Sequence, residues 1–147
     1  MKIDGACHCG FVTYAAEVDP AKAAICHCTD CQTLSGSAFR TVVPSRAGTF
    51  RLLSGTPTLY VKTAESGARR VQAFCPQCGS PIYSCADEPE PAVRSIRVGT
   101  VRQRDQLVPA LQLWGRSSQG WLGNVARLPK LDTQPTSTPS ANVAGDR

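Results

Sequence analysis

Long apolar runs are missing from this chain of 147 residues, whereas a membrane-spanning helix needs about 20 consecutive apolar residues. No membrane partner is expected. The opening Met1-Lys2-Ile3-Asp4-Gly5 leads into no apolar segment of the secretory kind, so the expected location is the cytoplasm. Aromatic residues make up only 6 % of the chain and there is a single Met, so any core must rest mainly on aliphatic side chains. A Gly-rich phosphate loop, a Ser-His-Asp set and a cluster of carboxylates suited to acid–base chemistry are all absent, Asp87-Glu88-Pro89-Glu90-Pro91 reading as an acidic, Pro-stiffened loop, which argues against nucleotide hydrolysis, serine hydrolase chemistry and paired-carboxylate acid–base work. Sixteen Lys+Arg against eleven Asp+Glu give a net charge of +5. That balance favours anionic partners in general without selecting nucleic acid, and nucleic acid is not expected.

What the chain has in quantity is cysteine, eight residues of it. In a reducing compartment closely spaced thiols read better as metal ligands than as disulfides. Cys26-His27-Cys28-Thr29-Asp30-Cys31 places three thiols in six residues. As thiolates they can converge on one tetrahedral zinc and leave a position open. Cys7-x-Cys9 and Cys75-x-x-Cys78 together make a complete set of four for a second, closed zinc. Two zinc ions per chain are therefore expected. In Cys75-Pro76-Gln77-Cys78-Gly79, Pro and Gly shape a tight turn whose amides can point at sulfur. Cys85 stands outside every pair and reads as a small buried hydrophobe. His8, between two ligands on an extended segment, reads as solvent-facing.

The rest of the pattern is mainly β. Strands are expected over 11–18, 38–43, 80–84 and 95–101, with an antiparallel meander from Thr49 to Phe74. A short helix is expected from Cys31 to Leu34, capped by Thr29-Asp30 and ended by Ser35-Gly36. Leu107 to Trp114 and Trp121-Leu122 close the apolar pattern, with both Trp expected in core or rim packing and either able to line a pocket. Residues 1–128 read as one domain, and 129–147, rich in Thr, Ser, Pro and Ala, as a tail with little to bury. Arg40, by itself, reads as a solvated strand charge.

The order Gly5-x-Cys7-x-Cys9-Gly10, Cys26-His27-Cys28-x-x-Cys31, Phe74-Cys75-x-x-Cys78-Gly79 resembles the glutathione-dependent formaldehyde-activating enzyme family, whose relatives include centromere protein V. The resemblance runs from Gly5 to Leu122. It implies a Mss4-like fold of antiparallel sheets organised around zinc knuckles, with structural zinc on Cys7, Cys9, Cys75 and Cys78 and catalytic zinc on Cys26, Cys28 and Cys31. It also implies a carbon–sulfur lyase or synthase acting on glutathione and an aldehyde or a related thiol adduct. Arg40, with Lys62, Arg69 and Arg70, would then offset the charge of the thiolates or hold glutathione carboxylates, and His27 would carry a proton or support a ligand. Where many relatives read Gly-Thr-Leu-Asp, this chain has Gly99-Thr100-Val101-Arg102, which places a base where an acid is usual near the expected pocket. The alternative reading is a non-catalytic, zinc-stabilised binding module.

Overall fold

The computed structural model describes residues 1–134. Of the expected tail, 135–147 lies outside the described residues, and 129–134 is exposed and outside any helix or strand. The described chain is mainly β, in two sheets. Strands β1 (Lys2–Ala6), β2 (Thr13–Glu17) and β5 (Arg51–Ser54) form the smaller sheet in the order β1-β2-β5. The larger one holds β3 (Ala24–Cys26), β4 (Arg40–Pro44), β6 (Thr58–Thr63), β7 (Arg69–Phe74), β8 (Pro81–Ala86), β9 (Ser95–Arg97) and β10 (Leu111–Leu113), in the order β10-β3-β4-β9-β8-β7-β6. All pairs are antiparallel except β10 with β3.

Because side chains alternate along a strand, the registers sort the larger sheet into two faces. Val43, Ile96, Tyr83 and Ala73 are successive cross-strand partners, and Cys85 pairs with Val71. All six belong to the buried core. Phe50 links this face to the smaller sheet, stacking on Tyr14 with ring centroids 5.3 Å apart and meeting Tyr83 edge-on at 4.9 Å. A few well-placed aromatics thus carry the inter-sheet contact in a chain that has few. The opposite face bears Cys26 beside Arg40, Val42 beside Arg97, Ser95 beside Ser84, Ser84 beside Gln72, and Arg70 beside Lys62. Most of these residues are polar or charged.

Helix α1 (Thr29–Ser35) follows β3 directly, and Asp30 in its first turn pairs with Lys62 on β6, at the other end of the strand order. The helix starts earlier than the sequence suggests. Its N-cap is Cys28, whose sulfur accepts the Cys31 N–H at 3.3 Å, so a thiol takes the role expected of Thr29-Asp30. Gly36 ends it as foreseen, at φ 61°, donating its N–H to the last carbonyls.

Several expectations need correction. The segment from Thr49 to Phe74 is not one meander, because β5 pairs with β2 in the smaller sheet. The strand expected over 95–101 ends at Arg97, where a 3-10 turn begins and the Thr100 hydroxyl donates to the Arg97 carbonyl at 2.8 Å. Trp114 and Trp121 are 41 % and 52 % exposed, so neither is core. Strands β1 and β3 have weak local signals and form through their partners. At Gly5 on β1 a Cβ would lie 2.3 Å from the Tyr14 hydroxyl and 2.5 Å from the Thr100 carbonyl oxygen. Only glycine lets the strand lie this close to that ring.

Candidate metal centres

The first cluster joins the loop after β1 to the turn after β7. Cys7, Cys9, Cys75 and Cys78 bring their sulfurs within 4.8 Å of one another, with Cys7 to Cys9 at 3.5 Å and Cys9 to Cys75 at 3.7 Å. Tetrahedral zinc with bonds of about 2.3 Å sets its sulfurs about 3.8 Å apart, so the four fit such an ion. The surroundings already donate to sulfur. Val12 N–H points at Cys7 Sγ at 3.2 Å, and the Ser80 hydroxyl lies 3.2 Å from Cys78 Sγ. The Ser80 hydroxyl, then its backbone N–H, holds the Cys78 thiol down at about 5.

The second cluster lies where β3 meets α1. Cys26, Cys28 and Cys31 have sulfurs within 4.8 Å of one another, with Cys26 to Cys28 at 3.5 Å. The contact with the Cys31 thiol, outweighing burial, holds Cys26 down at about 5. The same contact pushes Cys31 far above the ordinary thiol range. Three sulfurs this close cannot all be anionic unless a cation joins them, and a divalent ion removes that conflict. The donor set fits zinc. No fourth Cys, His, Asp or Glu joins the three among the described residues. Cys85 is buried in the core and paired with Val71 on the opposite face of the sheet.

The triplet forms part of the wall of a cavity of about 550 Å³. Leu34, Leu113 and Trp114 give that cavity apolar wall, while Lys62, Arg70 and Arg97 give it positive charge. Trp114 is in the left-handed backbone region at φ 58°, uncommon outside glycine. The Arg116 guanidinium lies 4.8 Å from its ring centroid and bonds Glu65 of the β6–β7 turn at 2.7 Å. Trp114 and Glu65 both line the cavity, so this contact joins two parts of its wall.

The sequence candidates separate in space. Arg40 is buried at 6 % exposure, not solvated. Its Nε and Nη2 have no hydrogen-bond partner among the described residues, and it lies in the field of Cys31, Cys28 and Cys26 while burial lowers its pKa. It lines a second cavity of about 380 Å³ with Leu34 and Tyr60, not the one beside the triplet. Lys62 reaches the main cavity but is engaged by Asp30. Arg69 is off the cavity and bonds Asp87 at 2.6 Å.

His27 is buried, with Nε2 2.8 Å from Gln112 Oε1 and its ring against Phe39. It does not line the main cavity. His8 is exposed. Arg102 is exposed and pairs with Asp4 at 3.0 Å, away from the triplet's cavity, so the exchange of acid for base does not alter that wall. The residue that sequence reasoning missed is Arg97, buried at 6 % exposure in the cavity wall. Its signal was a charge lodged between Ile96 and Val98.

The profile of the glutathione-dependent formaldehyde-activating enzyme family matches residues 2–117, which includes both clusters and the whole cavity wall. The chain belongs to this family. A crystal structure of a Rhodobacter sphaeroides protein is similar in fold, with a TM-score of 0.56 and 21 % identity, over 74 % of this chain and 98 % of that one. Comparison with curated proteins gives no match. As family membership suggests, two cysteine clusters able to hold metal are present. No helix among the described residues is long and apolar enough to cross a membrane.

Proposed function

We propose that the protein is a zinc-dependent carbon–sulfur lyase or synthase, working on glutathione and an aldehyde or a related thiol adduct, with 1–128 as the working unit. The observation that carries this reading is the asymmetry of the two clusters: four thiols in one, three in the other, and the three beside a cavity of about 550 Å³. Zinc held by the triplet would supply an open coordination position and stabilise a substrate thiolate.

The chain's own residues do the rest. Cys26 at the end of β3, Cys28 at the helix cap and Cys31 in its first turn hold the donor set, and their spacing is fixed by the strand-to-helix junction. Arg40 offsets the negative charge of three thiolates from behind. His27, fixed by Gln112, sets the backbone between two ligands and supports them without facing the cavity. Leu34, Leu113 and Trp114 offer apolar wall to the carbon chain of the substrates. In the synthetic direction a carbon–sulfur bond forms at the carbonyl carbon, the carbonyl π pair passes to oxygen, and the proton lost by sulfur ends on that oxygen. With formaldehyde the product is S-hydroxymethylglutathione. The lyase direction is the reverse.

The test is adduct formation from glutathione and formaldehyde, measured against the uncatalysed reaction. The zinc-loaded protein is expected to raise the rate, and Cys28→Ser to abolish the increase while leaving the β fold. No rate above background would favour the binding-module reading.

A further inference from the structure

We infer that Arg97, with Arg70 beside it, forms a carboxylate subsite in the cavity wall next to the cysteine triplet. The inference rests on the proposed use of the cavity for thiol and carbonyl substrates. Arg97 is 94 % buried by its 6 % exposure, and its guanidinium is held through Nη2 by Gln72 Oε1 at 2.7 Å. Its Nε has no partner among the described residues. Ser84 and Ser95, its neighbours on the same face, are uncharged hydrogen-bonding groups.

A buried guanidinium is costly unless anions answer it, and the anionic groups near Arg97 are the thiolates of Cys26 and Cys31, whose charge a bound divalent ion would largely neutralise. The other charges of the wall are already answered. Lys62 is matched by Asp30 and Glu65 by Arg116, whereas neither Arg97 nor Arg70 has an acidic partner among the described residues. Three thiolates with one divalent ion would carry a single net negative charge, which lies in the field of both Arg40 and Arg97 and offsets one of the three charges of Arg40, Arg97 and Arg70. A substrate thiolate would offset a second. One positive charge is then left over, which suits a singly charged anion better than a phosphate dianion. The planar fork of arginine matches a carboxylate with two parallel hydrogen bonds. The carboxylate can belong to the thiol, as in glutathione, or to the carbonyl partner, as in an oxo acid; formaldehyde has none.

The experiment is equilibrium titration of the zinc-loaded full chain, followed by tryptophan fluorescence because Trp114 lines the cavity. Two pairs of probes are compared: glutathione against its diester, and glyoxylate against its methyl ester. In at least one pair the acid is expected to bind about tenfold or more tighter than the ester. Arg97→Gln should erase that preference, weakening acid binding about tenfold more than ester binding, and Arg97→Lys should restore part of it. The pair that responds identifies the source of the carboxylate. If wild type prefers the acid in neither pair, or if the preference survives Arg97→Gln, the subsite is overturned. Should Arg97→Gln not fold, Arg70→Gln replaces it, with a reduced preference expected and an unchanged one contrary. Acid preference without turnover would sustain the subsite and remove the lyase reading; turnover without acid preference would do the converse.

Discussion

Cys26 on β3 and Arg40 on β4 are direct cross-strand partners, which sets a cluster thiol and a buried guanidinium on one face of the sheet. Arg40→Met should therefore weaken metal binding at the triplet by roughly tenfold to a hundredfold, in line with the loss of other supporting groups around metal ligands. Binding at the four-thiol cluster should not change. Chelator competition with metal analysis separates the two sites, and equal loss from both would contradict the assignment.

The four-thiol cluster ties the end of β1 to the turn after β7, closing a loop of some 66 residues between Cys9 and Cys75. Cys75→Ser should destabilise the whole fold, lowering the melting temperature by on the order of 10 °C, as expected for a loss of several kcal/mol in a chain of this size. A melt matching wild type would show that the cluster is not a structural metal site.

Much of this was legible in the sequence. The cysteine spacings point to both clusters because metal geometry fixes spacing locally, and alternation in Thr58–Thr63 and Arg69–Phe74 suffices to mark those strands. What could not be read is what register decides. Arg97 belongs to the cavity because β9 pairs with β4 and β8, a fact of distant pairing that no local pattern around residue 97 contains. The reading of Arg40 as a solvated charge fails for the same reason, since an isolated strand shows which residues share a face, not which face is buried. β1 has Asp4 and Gly5, poor strand formers, and is held by β2.

Gly5 touches Tyr14 so closely that Gly5→Ala must move the ring or the strand. The expected cost is about 1–3 kcal/mol, the usual range for overpacking. A urea melt checks it. Tyr14→Ala in the same chain should relieve the ring's share of the clash and leave that with the Thr100 carbonyl oxygen, so a double variant no more stable than the sum of the singles would count against the contact between Gly5 and the ring.

The Tyr14 phenol is pushed up to about 12 by burial, against the hydrogen bond with Thr100. Because its folded value lies above the unfolded value of about 10, the folded state keeps a proton that the unfolded state releases. Its contribution to stability is full below pH 10 and is lost as pH rises to 12, amounting to roughly 2–3 kcal/mol. Urea melts at fixed zinc should therefore show wild type losing stability more steeply than Tyr14→Phe across that interval; equal slopes would refute the burial argument.

The proposed chemistry requires one cluster to be closed and the other open to a substrate thiol. Cadmium-substituted protein observed by cadmium NMR tests this most directly, since each cluster should give its own resonance. Adding glutathione should move the resonance of Cys26, Cys28 and Cys31 toward the position of a four-sulfur site and leave the other unmoved. If neither resonance moves at saturating glutathione, the triplet is not an open thiol site and the proposed chemistry fails.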